Sequence, residues 1–276
     1  MTSTLLDGLC FPEGPRWHDG QLWFSDMHAH QVVSVTSSGE RTDHLEVNAW
    51  PSGLGWLPNG DLLVVSMTDR RLLRWDGDAV REHADLSGLA SYHCNDMVVD
   101  GKGNAYVGNF GFDLHAHKKP RPAELILVTA AGDARVVADD LLFPNGTVIT
   151  PDGKTLIVGE SWGARLTAFD IKKDGSLNKR RVWAELKDGA VPDGICLDEA
   201  GGIWVASPST NECLRVEEGG AVSHRIGLDR GAFACMLGGS TLYMLIAKSS
   251  DPDECREQRS GCIQTAAAPH AGAGWP

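Results

Sequence analysis

Short apolar runs recur along this chain, each entered through a tight turn. Leu22-Trp23-Phe24, Leu156-Ile157-Val158 and Ile203-Trp204-Val205-Ala206 follow Asp19-Gly20, Asp152-Gly153 and Gly201-Gly202. Runs this short, bounded by such pairs, read as buried strands, and the pairs supply the positive φ that two-residue hairpins demand. No segment sustains a helical period, which disfavours an α/β protein.

The turn before each inner strand repeats a phrase. Phe11-Pro12-Glu13-Gly14, Phe143-Pro144-Asn145-Gly146 and Val191-Pro192-Asp193-Gly194 each lead into one of these runs. Taking the residue at that turn gives Glu13, Ser52, Asn95, Asn145, Asp193 and Ala234, at steps of 39 to 50 residues. Six such units, each with room for four short strands, predict an all-β fold. It is a single six-bladed β-propeller domain over residues 1–276 with four-stranded antiparallel blades. Unit one reads as strands at Pro15–Trp17, Gln21–Ser25, Gln31–Thr36 and Arg41–Val47. Unit six offers only Cys235–Leu237, Thr241–Ile246 and Gly261–Ala266. The N-terminal Thr4–Asp7 is therefore expected to pair with Gly261–Ala266 and close the ring, removing two open sheet edges.

Composition narrows the partners. A net charge of −12 would repel nucleic acid and anionic membranes. No apolar stretch approaches the ~18 residues of a membrane span. The start, Met1-Thr2-Ser3-Thr4, does not look like a signal peptide, so a cytoplasmic protein is expected. Seven cysteines, an odd count, fit reduced thiols. Cys255 and Cys262 pairing across a hairpin is the alternative to two free thiols. The expected assembly is a monomer or weak homodimer.

Propeller geometry turns spacing into location. The six turn residues and the second-to-third-strand loops share the top mouth of the channel. Glu13, Asn145 and Asp193 would then converge on one axis as two carboxylates and an amide. Carboxylates that close repel unless a cation sits between them. Asp and Asn also cap ordinary turns, but three in matched positions point to one divalent metal ion. An oxygen-only set suits Ca²⁺ first, with Mg²⁺, Mn²⁺ or Zn²⁺ as alternatives. The top loops offer Met27, Met67, Phe110, Phe112 and Trp162 as apolar walls, and Asn109–Ala123 is long enough to act as a lid. His28-Ala29-His30 and His115-Ala116-His117 read as solvated loop histidines. Neither a phosphate loop nor a Gly-x-Ser-x-Gly elbow is present.

Four spaced motifs carry a resemblance: Pro12-Glu13-Gly14-Pro15, Asn95-Asp96, Pro144-Asn145-Gly146 and Pro192-Asp193-Gly194-Ile195-Cys196-Leu197-Asp198. Together they resemble the gluconolactonase/regucalcin (senescence marker protein) family over essentially the whole chain. The resemblance implies a six-bladed propeller with one divalent metal at the top of the channel. It implies Glu13, Asn145 and Asp193 as metal ligands, Asp193 also as general base, and Asn95 as a contact to substrate or water. His93 stands where sugar-lactone members often carry Arg, and Met97-Val98 where Gly-Lys is often seen. The expected function is a metal-dependent hydrolase that opens a small-molecule lactone with metal-activated water, and a less hydroxylated lactone is favoured. His93, Asn95, Met27, Phe110, Phe112 and Trp162 are the expected substrate contacts. The alternatives are an esterase acting on open-chain or aromatic esters and a non-enzymatic metal-binding propeller.

Overall fold

A computed structural model describes residues 2–275. Six four-stranded antiparallel sheets follow one another around a central channel. Each of the first five is built from four consecutive strands. The inner strands are Pro12–His18, Pro51–Trp56, Cys94–Val99, Pro144–Ile149, Ile195–Leu197 and Gly231–Gly238. The sixth blade completes itself as expected: after Gly261–Ala267 the outermost strand is Ser3–Leu9. Thr4 pairs with Gln264, Leu6 with Ile263 and Leu9 with Gly261. Leu9 is fully buried there, so the closure fixes the N-terminal strand by packing as well as by its ladder.

The second strands explain the sequence pattern. Leu62–Ser66 and Ile203–Ser207 are buried at every position, because neighbouring blades cover both faces and leave none polar. The hairpin pair Asp19-Gly20 takes the positive φ it was read to need, 49° and 75°. Glycines also set how closely the inner strands converge. A Cβ on Gly146 would lie 2.5 Å from the backbone nitrogen of Ile195 in the next blade. The Gly of the repeated phrase is thus a close-approach residue as much as a turn residue.

Four features differ from the sequence reading or add to it. A short helix, Pro252–Gln258, lies between the second and third strands of blade six, where a loop was expected. Asp251 caps it by accepting from the Asp253 and Glu254 N–H groups, and proline opens its first turn. Beyond blade six the chain crosses the bottom of the channel. Trp275 bridges Ile149, Gly272 bridges Asp198, and the Trp275 ring lies against Gly101. All seven cysteines are free, so Cys255 and Cys262 do not pair. Among the described residues no helix is long and apolar enough to cross a membrane.

Candidate metal and active site

The inner strands aim their functional side chains by bulging. In blade four Pro144 pairs with Glu160 and Thr147 with Val158, so Asn145 and Gly146 share the single partner Gly159. Blade three does the same at Asn95 and Asp96, and blade two at Ser52 and Gly53. In blade five the Asp193 N–H donates to the Ala206 carbonyl, while the Ala206 N–H donates to the Gly194 carbonyl. A bulge bends its strand and turns a side chain out of the ladder. With Glu13, which pairs with Ser25 just before the irregularity in blade one, this brings Asn95, Asn145 and Asp193 to one cavity. Blade six corrects the reading by one residue. Ala232 pairs with Ile246 and Ala234 with Leu245, so Phe233, not Ala234, is the inserted residue, and it lines the cavity.

Hydrogen bonds hold these groups while leaving one oxygen free on Glu13, Asn145 and Asp193. The Asn145 amide donates to Asp193 Oδ1 (2.5 Å) and to Ser161 Oγ (3.2 Å). Ser161 Oγ donates onward to the Pro192 carbonyl at 2.7 Å, tying blade four to blade five. Glu13 Oε2 accepts from the Gly14 N–H at 3.0 Å. Glu13 Oε1, Asn145 Oδ1 and Asp193 Oδ2 take no hydrogen bond from any described residue. Ser52 Oγ donates to Asn95 Oδ1 (3.4 Å), leaving the Asn95 amide nitrogen as the group's donor.

The electrostatics are lopsided. Arg16 lies beneath the site, buried, and pairs with Asp96 at 2.7 Å. It also donates to the carbonyls of Leu54, Pro15 and Met97. Asp96 therefore has its cation, whereas Glu13 and Asp193 form no ion pair. Burial, and then the Asp193 charge, push the Glu13 carboxyl well above the usual carboxylate range. Burial does the same to Asp193, followed by Asp96 and Cys235, and against the Asn145 hydrogen bond; its pKa stands at about 8. A buried acid raised by a partly buried one, with an amide carbonyl beside them, suits a hard divalent cation. The donor set fits such an ion. Glu13 and Asp193 are its only ionisable members, and among the described residues no three His, Cys, Asp or Glu side chains gather into a metal-binding group.

The walls are apolar. Phe11, Met27, Met67, Phe110, Phe143 and Phe233 surround a cavity of about 100 Å³. Met27, Met67 and Phe110 thus stand where the sequence placed them. Phe112 is buried behind Phe143, 6.0 Å between ring centroids, and faces an outer hollow. Trp162 is 53% exposed and lines an adjoining groove. His93 does not line the cavity. It stacks on Tyr92 at 4.1 Å and lies behind Phe110, and burial lowers its pKa to about 4.

One residue was misjudged from sequence. His28, read as solvated, is 2% exposed and lines the cavity, stacked on Phe11 and edge-on to Trp50. Its Nδ1 has no partner, and burial lowers its pKa to about 4. His115, on the long blade-three loop, is exposed as read and also reaches the rim of the cavity. The burial of His28 was not legible, because it depends on a side chain arriving from another blade.

Comparison with known proteins agrees with this fold. Residues 11–249 match the SMP-30/gluconolactonase/LRE-like region family. Regucalcin of Gallus gallus is 26% identical, over 87% of this chain and 83% of its own. The 6-deoxy-6-sulfogluconolactonase of Pseudomonas putida is 28% identical, over 91% and 89%. A solved calcium-binding regucalcin from Agrobacterium tumefaciens superposes with a TM-score of 0.80 at 20% identity, covering 98% of this chain and 94% of that one. At that identity the superposition speaks for the fold.

Proposed function

The chain belongs to the SMP-30/gluconolactonase/LRE-like family, and we propose that it hydrolyses lactones with the help of one divalent cation held by Glu13, Asn145 and Asp193. The observation that carries this reading is the set of three unshared oxygens, two of them on acids with no cationic partner. Ca²⁺ is the first choice, in line with the calcium-binding regucalcin above. When bound, the ion supplies a Lewis acid that polarises the ester carbonyl and acidifies water.

The chain's own residues do the rest. Asp193 takes a proton from the attacking water through the oxygen not committed to the ion, the one that also accepts from the Asn145 amide. A bond forms between that water's oxygen and the carbonyl carbon, and the ring C–O bond then breaks. The proton on Asp193 passes to the departing alkoxide, giving a hydroxy acid. Asn95, its carbonyl occupied by Ser52, presents its amide N–H to the developing oxyanion. No nucleophilic side chain is used.

The walls indicate a substrate poorer in hydroxyls than an aldonolactone. A sugar or a sulfonated sugar calls for several charged or amide partners. The cavity lining contains no Lys or Arg. The same apolar walls favour an open-chain or aromatic ester as a second reading. Both are tested by kcat/KM on aldonolactones, alkyl γ- and δ-lactones, dihydrocoumarin and open-chain esters, with chelator and after Ca²⁺ add-back. Chelator-sensitive turnover with alkyl lactones at least tenfold ahead supports the first reading. Equal or greater turnover of open-chain esters supports the second. A tenfold preference for aldonolactones refutes the substrate choice, and chelator-insensitive turnover refutes the cation.

A further inference from the structure

A groove runs beside the cavity. It has a volume of about 260 Å³ against about 100 Å³ for the cavity itself. The two adjoin: Asn145, Asp193, Leu114 and Phe143 line both. Beyond them the groove is formed by Trp162, Val191, Pro192 and Pro208, with Ser161 the one further polar residue. Trp162 is the most exposed large apolar side chain among the described residues, at 53%. An exposed indole at the lip of an apolar groove that opens onto reacting groups suggests a ligand contact.

The partition between the two lobes is built rigidly. Phe143 sits in the left-handed backbone region, φ 61°, unusual for a large side chain. Its carbonyl accepts from the Ser161 N–H at 3.1 Å, and the Leu142 carbonyl accepts from the Trp162 N–H at 3.2 Å. The Leu142 N–H donates to Glu160 Oε2 at 2.8 Å. Glu160 is itself fully buried and paired with Arg165 at 2.8 Å. Phe143 stacks on Phe110 at 4.5 Å on the cavity side and meets Phe112 edge-on, which in turn meets Trp162 at 5.7 Å. This aromatic row divides a small chamber holding all four floor residues from a larger apolar one that touches only Asn145 and Asp193.

We propose that the second lobe is a substrate subsite: it holds an apolar alkyl or aryl substituent while the lactone ring occupies the chamber over Glu13, Asn95, Asn145 and Asp193. This rests on the lactonase reading and narrows it to lactones carrying an apolar tail. A tail fits better than a second polar part because Trp162, Val191 and the two prolines offer no side-chain hydrogen bond inside the groove. The ring belongs in the smaller chamber because only there do Glu13 and Asn95 reach it.

Two measurements test this on the full-length, Ca²⁺-loaded protein. In the first, kcat/KM is followed along a series of γ-lactones from γ-valerolactone to γ-nonalactone. In the second, calorimetry gives the affinity of 3-alkylcyclopentanones of the same tail lengths, in which a CH₂ replaces the ring oxygen and no hydrolysis is possible. Each methylene seated against apolar wall is worth about two- to fourfold. The expected result is a rise of tenfold or more across each series. Trp162→Ala, at an exposed position that should not disturb folding, flattens both slopes. Affinity that rises with tail length while no lactone is turned over would keep the subsite and overturn the lactonase reading. Turnover and affinity that ignore tail length in the wild type, or slopes that survive Trp162→Ala, would overturn the subsite and leave the lactonase reading standing.

Discussion

The inner strand of blade five has an acid at each end, Asp198 buried and Asp193 partly buried, and the two have opposite surroundings. At the bottom, Asp198 accepts from the Ala200 and Gly202 N–H groups at 3.0 and 2.9 Å. It also receives both arms of Arg215, at 2.6 and 3.1 Å. At the top, Asp193 has a single amide hydrogen bond and no cation. A buried carboxylate is costly unless it is paired and hydrogen-bonded. The lower acid meets that condition inside the protein, which marks it as structural. The upper one, with Glu13 beside it, does not, which marks it as waiting for something from outside the chain.

The sharpest way to break this contrast is to exchange its terms by mutation. Asp193→Ala is expected to lower kcat/KM by about 10³-fold, the range of a positioned base. Metal content should fall with it, and urea unfolding in chelator should show no loss of stability. A marked loss of stability would show that Asp193 is a structural acid after all. Arg215→Ala should do the reverse. Removing one partner of a buried pair costs about 3–5 kcal/mol, seen in the same urea titration, while kcat of the folded protein stays within about twofold.

Much of this was legible from sequence, and the parts that were not have a common cause. The blades were legible because each inner strand repeats a turn, an apolar run and a Gly pair. The ring closure followed because unit six lacked a strand. In blade six the phrase has decayed to Gly231-Ala232-Phe233-Ala234, with no Pro or polar residue to fix the register. The site residue was therefore placed one position late, at Ala234 rather than Phe233. The Asp251-Pro252 cap was in plain view, but seven helical residues, barely two turns, have no period to detect. The tail across the channel floor makes only isolated bridges, which leave no alternating pattern. The burial of His28 is set by Trp50 from another blade, and the seclusion of His93 by Tyr92 and Phe110 of its own. Sequence spacing could gather the floor of the site and only part of its walls.

Those walls give the top end a further weakness that sharpens the comparison. The folded-state pKa of His28 is about 4, against 6.5 unperturbed. Between those values the unfolded chain binds a proton there that the native state does not, so stability falls as the pH drops. The effect is absent above pH 6.5 and amounts to about 2 kcal/mol by pH 4.5. His93 acts in the same direction. His28→Asn should remove about one proton's worth of slope from stability measured between pH 7 and 4.5; an unchanged slope would mean that His28 titrates freely in the native state.

The smallest effect concerns the link between blades four and five. Ser161→Ala removes the hydroxyl that receives the Asn145 amide and holds the Pro192 carbonyl. A neutral hydrogen bond of this kind contributes about 1 kcal/mol. The variant should therefore fold normally, bind the metal a few-fold more weakly and lose up to about tenfold in kcat/KM. Full recovery of kcat/KM at saturating Ca²⁺ would show that Ser161 acts only through the ion.

The central claim is that the unshared oxygens of Glu13, Asn145 and Asp193 hold a divalent cation. The most direct test is calorimetric titration of Ca²⁺ into the chelator-stripped protein, run beside Glu13→Gln and Asp193→Asn. One ion per chain should bind to the wild type, with an accompanying rise in Tm. Each variant should bind at least about a hundredfold more weakly while leaving the Asp198–Arg215 end of the channel undisturbed. No binding by the wild type, or unchanged binding by both variants, would contradict the claim.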